Sequence, residues 1–282
     1  MVVFAFIIFV SLIGWFYGQY FEEGLGVFYL GLALVISGIS GWVSYYNSDK
    51  IVLAISRARK VEKSENPYLY NLVENLCIGA GLPIPKIYMI DDSSMNAFAT
   101  GRDPEHAVIC FTSGIVSRLD KLELEGVVAH ELSHIGNYDI RLMSIVSVLV
   151  GSVILLSDFF LRGRLYGSRR RSNNSSGSII FLIGLVFLIL SPVISTLIKL
   201  ALSRSREHLA DSTAVLLTRY PVGLANALRK LSADREILEV ANGATAHLYI
   251  VNPIKGGIGK TVANLFDTHP PIEERIRRLE SM

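Results

Sequence analysis

The chain has 282 residues, 51% of them hydrophobic and 18% charged, with a mean hydropathy of +0.42. These proportions exclude an ordinary soluble globular protein and indicate a membrane protein with a modest soluble part. A net charge of +2 gives no basic surplus for a nucleic-acid partner, and Cys77 and Cys110 are too few and too far apart for a disulfide framework or a thiolate zinc site. A reduced compartment suits them best.

Residues 1–21 carry no charge, and neither do residues 24–48; each run is long enough for a helix to cross about 30 Å of hydrocarbon. The first run lacks a basic leader and a small-residue cleavage site, so a removable signal peptide is not expected. Phe21-Glu22-Glu23-Gly24 makes a short polar turn, and the two runs are predicted to form a helical hairpin. A third run, Leu142 to Ser157, has 16 uncharged residues before Asp158, short for a full span. The fourth, Ile179 to Ile198, is long enough, with a kink expected at Pro192. Between these two lies a flexible basic loop with five arginines, from Arg162 to Arg171. Lys50, Arg57, Arg59, Lys60 and Lys63 follow the second run, whereas the first turn holds two glutamates and no basic residue. The positive-inside rule then places residues 49–141 in the cytoplasm. The arginine loop opposes this if the third and fourth runs cross fully. Arg141, Lys199, Arg204 and Arg206 partly offset it, and a pair that does not cross completely is the alternative.

The soluble part alternates helices and strands. Tyr68 to Ala80 is an amphipathic helix ended by Gly81-Leu82-Pro83. Lys86 to Ile90 reads as a strand, Asn96 to Gly101 as a second extended piece and His106 to Phe111 as a third. Asp120, with Glu123 three residues on, caps the next helix, which no proline interrupts before the third apolar run. A small mixed sheet against helices is expected. After the fourth run, Ser203 to Leu217 is helical, Val222 to Leu231 is a further helix, and residues 241–267 are irregular. Pro271 opens a terminal helix with Ile272, Ile276 and Leu279 on one face.

His130-Glu131-Leu132-Ser133-His134 lies on the capped helix. Residues four apart on a helix stand about 6 Å apart on one face, so both imidazoles can reach one metal ion. Glu131 can then take the proton of a water that the metal activates. Two histidines leave a catalytic zinc one protein ligand short. Asn137 and Ile140 stand where a third histidine motif would need glycine and histidine, so the ligand must come from elsewhere. Glu207 is the candidate: Asp211, four residues on, shares its helical face and can hold a ligand histidine by its second ring nitrogen. His208 is the rival, about 100° away around the helix. His134 precedes the third run by eight residues and Glu207 follows the fourth by nine. If helical, both stand about 12–14 Å beyond the apolar boundary, on the same side of the membrane. Asp139, five residues past His134, is turned away from the ligand face on a continuous helix and reads as structural.

Taken together, Asn96-Ala97-Phe98-Ala99-Thr100-Gly101, the His130–His134 motif with Asp139, Glu207 with Ala210-Asp211, and Thr268-His269-Pro270-Pro271 with Arg275 resemble the HtpX family of integral-membrane zinc metallopeptidases, relatives of the CAAX prenyl endopeptidases. The resemblance spans nearly the whole chain. It implies one Zn2+ per chain on His130, His134 and Glu207, Glu131 as catalytic base, a cytoplasmic face of the cell membrane, and a role in degrading damaged or misassembled membrane proteins.

The expected fold class is an α+β membrane protein, with two transmembrane helical hairpins and a zincin-like metalloprotease domain in which a small sheet accompanies the zinc-motif helix. Residues 1–48 form the first hairpin and 142–200 the second. Residues 49–141 and 201–282 form the two parts of the protease domain. His269 is a candidate oxyanion donor, with a turn role before Pro270-Pro271 as the alternative; Arg275 is expected to anchor the terminal helix. Asn96, Ala97, Phe98 and Ala99 are candidates for an edge strand that pairs with extended substrate, with an ordinary strand and turn as the alternative. The expected partners are polypeptide substrates, above all membrane proteins, and the lipid bilayer, with no nucleic acid. Gly257-Ile258-Gly259-Lys260-Thr261 fails as a phosphate loop because Ile254 stands where glycine is required, so no nucleotide is expected. His106 and His247 have no companions at ligand spacing. A narrow-specificity processing peptidase and a non-catalytic zinc-containing scaffold are the competing functions.

Overall fold

Two apolar helices, α1 (Val2–Phe21) and α2 (Gly26–Ile55), pack against each other at the N-terminus. The computed structural model describes residues 2–21, 24–149, 203–241, 245–253 and 270–282. The fourth apolar run, the arginine loop, the end of the third run, residues 254–268 and His269 lie outside these. Only 17% of the apolar window of α2 is buried. The helix runs on past Asp49 and Lys50, and its last turns enter the soluble part, where Val52 and Leu53 are buried.

In helix α3 (Pro67–Ala80), proline takes the first position and the Asn66 side chain accepts from Leu69 N at 3.0 Å. Gly81, at φ +66°, ends the helix in the left-handed conformation. A four-stranded sheet follows: β1 (Arg59–Lys60), β2 (Lys86–Ile90), β3 (Ala97–Thr100) and β4 (Val108–Thr112), in the order β1-β2-β4-β3. Strands β2 and β4 are parallel, Lys86 opposite Val108, and β3 is antiparallel to β4, Ala97 opposite Phe111. The mixed sheet expected from the sequence is therefore present, with β3 at one edge.

Short helix α4 (Ser113–Arg118) leads into α5 (Lys121–Gly136). Asp120 accepts from Glu123 N and Glu123 from Asp120 N, both at 2.9 Å, the reciprocal cap legible in the sequence. Twelve of the sixteen residues of α5 are buried, which makes it the central helix rather than a surface one. Leu124, Val127, Val128, Leu132 and Ile135 pack on α3, on α6 (Arg204–Thr218) and on α7 (Pro221–Ala233). Each such side chain contributes about 1.5–3 kcal/mol by leaving water. The contact with α7 is close because Gly126 and Gly223 face it: a Cβ on Gly126 would stand 2.7 Å from Leu224 N, and one on Gly223 2.5 Å from Leu122 O. The terminal helix α8 (Ile272–Glu280) packs on α7 and α6, with Leu279 fully buried.

The sheet separates two apolar clusters. Ile87, Met89, Ala97, Ala99, Ile109 and Phe111 face α3 and α5. Ile90, Phe98 and Cys110 face the other way, onto Val52 of α2, Met143, Val146 and Tyr249. The Phe98 and Tyr249 rings meet edge to face at 5.0 Å. The sheet thus rests directly on the C-terminal end of α2 and on the helix over residues 139–149.

One expectation fails locally. The motif helix does not run uninterrupted into the third apolar run; it ends at Gly136, Tyr138 takes φ +60°, and a new helix covers residues 139–149. A left-handed residue reverses the chain's winding for one step, so side chains beyond it no longer follow the periodicity of α5.

Candidate metal centre

His130 and His134 lie on α5 one turn apart, and Glu207 reaches them from the first turn of α6. All three are almost fully buried. The two Nε2 atoms are 3.2 Å apart. Glu207 Oε1 is 3.4 Å from His134 Nε2, and its Oε2 is 3.8 Å from His130 Nε2. Among the described residues this is the one group of His, Cys, Asp and Glu side chains that could hold a metal ion. Two nitrogens and one oxygen, each about 2.0–2.1 Å from a tetrahedral zinc, would lie about 3.3–3.5 Å apart, close to the spacings found.

Each imidazole is held from behind by a carboxylate. His130 Nδ1 is 3.0 Å from Asp211 Oδ1, and His134 Nδ1 is 3.0 Å from Asp139 Oδ2. When both imidazoles are neutral and both Nδ1–H groups donate outward, both Nε2 lone pairs point inward at each other, an arrangement that suits a cation between them. Asp139 overturns its sequence reading: the break at Tyr138 swings it onto His134 rather than away from the ligand face. The Gly136-Asn137 pair, a common helix terminator, was the signal that could have shown it.

Each carboxylate is in turn met by an arginine. Arg275 of α8, fully buried, donates to Asp211 through Nε at 2.9 Å and Nη2 at 2.6 Å, and its Nη1 is 3.4 Å from Glu207 Oε2. It does anchor the terminal helix, as expected, but it does so inside the site. Arg206 Nη1 donates to Asp139 Oδ1. Glu131, also buried, lies close enough for its charge to act on His134 and Arg275. With both histidines neutral, as metal ligation requires, four buried carboxylates (Glu131, Asp139, Glu207 and Asp211) stand against two guanidinium groups, a deficit of two charges that one divalent ion fills.

In the metal-free chain the two histidines differ. Burial, with the charge of Arg275, pushes His130 down to about 4. Burial also disfavours charge on His134, but its hydrogen bonds to Asp139 and Glu207 outweigh that and hold it up at about 10. Burial opposes ionisation of Asp211, yet Arg275 and the bond to His130 keep it well below the usual carboxylate range.

The remaining candidates fall outside this centre. His208 Nε2 is 3.5 Å from Glu274 Oε1, on the side of α6 turned toward α8. His106 sits with Asp103 and Arg102 near the β3–β4 connection, and buried His247 meets Ser147 Oγ at 3.1 Å. Asn96, Ala97, Phe98 and Ala99 are all buried. Ile250 N donates to Ala97 O at 3.0 Å and Asn96 Nδ2 to Val251 O at 2.8 Å, so the segment around Ile250 already covers part of the β3 edge.

Paired imidazoles and a glutamate on one central helix, closed by a carboxylate from its neighbour, define a metallopeptidase. The comparisons agree. The model of Peptidase family M48 matches residues 63–282. A protease HtpX homolog of Dictyoglomus thermophilum is 50% identical over 264 residues, 94% of this chain and 84% of its own length. One from Thermoanaerobacter pseudethanolicus is 45% identical, covering 100% of this chain and 93% of the relative. The crystal structure of Ste24p from S. mikatae shares the fold at a TM-score of 0.53 and 20% identity, over 97% of this chain; this chain spans 62% of the Ste24p chain. The chain belongs to peptidase family M48, and it is a metallopeptidase.

Proposed function

We propose that the protein is an integral-membrane zinc endopeptidase whose catalytic part faces the cytoplasm and cleaves membrane proteins that are damaged or misassembled. The observation that carries the metal reading is the triangle of His130, His134 and Glu207, with both imidazoles turned inward by carboxylates. Bound zinc supplies Lewis acidity that makes water nucleophilic near neutral pH. Glu131 accepts the proton of the attacking water and passes it to the leaving amine. Asp211 and Asp139 hold the two imidazoles in the tautomer that presents Nε2. An extended substrate is assigned to the β3 edge, where Ile250 N bound to Ala97 O shows the main-chain pairing that a substrate strand would copy. His269 is the candidate donor to the oxyanion.

Membrane residence is supported by exposed apolar surface. Phe4, Val27, Phe28 and Trp42 on α1 and α2 are each more than 60% exposed, an area that water would not tolerate and lipid would cover. We assign α1 and α2 to one hairpin and residues 142–200 to a second, with the protease domain split around it into residues 49–141 and 201–282. The quality-control role rests on the resemblance to the HtpX family.

Purified protein in detergent is expected to contain one zinc per chain and to digest casein in a chelator-sensitive way. Glu131→Gln should keep its zinc and lose about 10²–10⁴-fold in cleavage rate. Full cleavage by Glu131→Gln, or cleavage indifferent to chelator, would remove the assignment. Unchanged zinc content in Glu207→Ala would remove Glu207 as the third ligand.

A further inference from the structure

Both imidazoles are backed by a carboxylate and an arginine, but the second backing is assembled differently. Asp139 is the first residue after the left-handed Tyr138, and Arg206 is in the first turn of α6, so the two flank the segment that carries the third and fourth apolar runs. Asp139 is buried, and its two oxygens have separate duties: Oδ2 meets His134 Nδ1 at 3.0 Å, and Oδ1 accepts from Arg206 Nη1. A carboxylate on a short side chain can rotate about its terminal torsion, which is broad rather than sharply staggered. A guanidinium bound to one oxygen fixes that rotation and so aims the other oxygen at the imidazole.

We propose that Arg206 is a positioning residue of the metal centre, setting the orientation of His134 through Asp139. This rests on the reading of His134 as a zinc ligand. The guanidinium reaches the imidazole of His134 through the carboxylate of Asp139 between them. The same bond staples together the two ends of the intervening apolar segment beside the ligands. Completion of the His134 half of the site therefore requires both ends of that segment to have returned to one place. Arg206 is partly exposed, its side chain 39% accessible, so its replacement does not leave a hole in the core.

The test uses the full chain in detergent, with zinc affinity read by competition against a chelator and the visible spectrum of the Co2+-substituted protein read alongside. Loss of an outer partner of a ligand histidine costs about 10–100-fold in metal affinity. Arg206→Gln should fall in that range and shift the Co2+ bands, Arg206→Lys should recover most of the affinity, and Asp139→Asn should weaken zinc at least as much as Arg206→Gln. The double variant should be no weaker than Asp139→Asn alone, because both act through one carboxylate. Zinc affinity of Arg206→Gln within twofold of the parent with an unchanged Co2+ spectrum, or additive losses in the double variant, would overturn the proposal. His134→Ala separates this from the underlying reading: if it retains parental zinc affinity, the ligand assignment fails rather than the role of Arg206.

Discussion

His130 and His134 sit one turn apart on the same helix, yet their surroundings are built from different parts of the molecule. His130 is backed by Asp211 and the fully buried Arg275, all within the packed bundle of α5, α6 and α8. His134 is backed by Asp139 and the partly exposed Arg206, where the chain leaves toward and returns from the apolar segment. Two chemically alike candidate ligands can thus answer to different constraints. One is held by the core, the other by the way the chain re-enters it.

The comparison is broken most severely by deleting the ligands. Either His130→Ala or His134→Ala should lose zinc and cleavage together, measured by metal analysis and a casein assay; an active His134→Ala would show that its side of the site is dispensable. The arginines should separate the two sides. Arg275→Met leaves Asp211 and Glu207 buried beside each other without their shared cation, and should destabilise the protein by about 3–5 kcal/mol. Arg206→Met should lower stability by about 1 kcal/mol or less, because its charge is partly solvated. Equal losses in denaturant unfolding would erase the distinction.

Acid and alkali should sharpen it in the chelated protein. His130 has its pKa depressed on folding, so the unfolded chain takes up the proton more readily, and stability falls as pH drops from 6.5 toward about 4. His134 has its pKa raised, so its contribution is complete below 6.5 and is lost as pH climbs toward about 10. Thermal unfolding without metal should therefore peak between these limits, with His130→Ala flattening the acid limb and His134→Ala the alkaline one. Outside the site the effect should fall on stability alone. Asp234 accepts from Met95 N at 2.7 Å and from Arg118 at 3.1 Å, tying the end of α7 to the start of β3. Its pKa is lowered: burial opposes, and the Met95 and Glu236 amides with Arg118 prevail. Asp234→Ala should cost about 1–3 kcal/mol while leaving zinc affinity unchanged, and any loss of zinc would show the two regions to be coupled.

Where information was local, the sequence sufficed. The Asp120–Glu123 cap, the strand Lys86–Ile90 and the i,i+4 pairing of Glu207 with Asp211 depend on neighbours a few residues away, and each is found where the pattern placed it. Asp139 was misread because its direction depends on a single backbone angle at Tyr138, which no periodicity encodes. The burial of Asn96 to Ala99 escaped for a different reason: alternation marks a strand, but only tertiary packing brings Tyr249 and the end of α2 over it. The short strand β1 and helix α4 were also missed, being too brief for a pattern to accumulate. The family resemblance was legible because its motifs are short and ordered along the chain. The end of the third apolar run, the fourth run and His269 lie outside the described residues.

The imbalance of four carboxylates against two guanidinium groups has a consequence for which ions the protein accepts. Sodium or potassium, even at cellular abundance, would leave the chamber under-compensated and would forgo two nitrogen donors suited to softer metals. The chamber should therefore favour a divalent ion over a monovalent one, with protons as its competitors. A starved enzyme should hold hydrogen ions in place of its metal and surrender them on reloading.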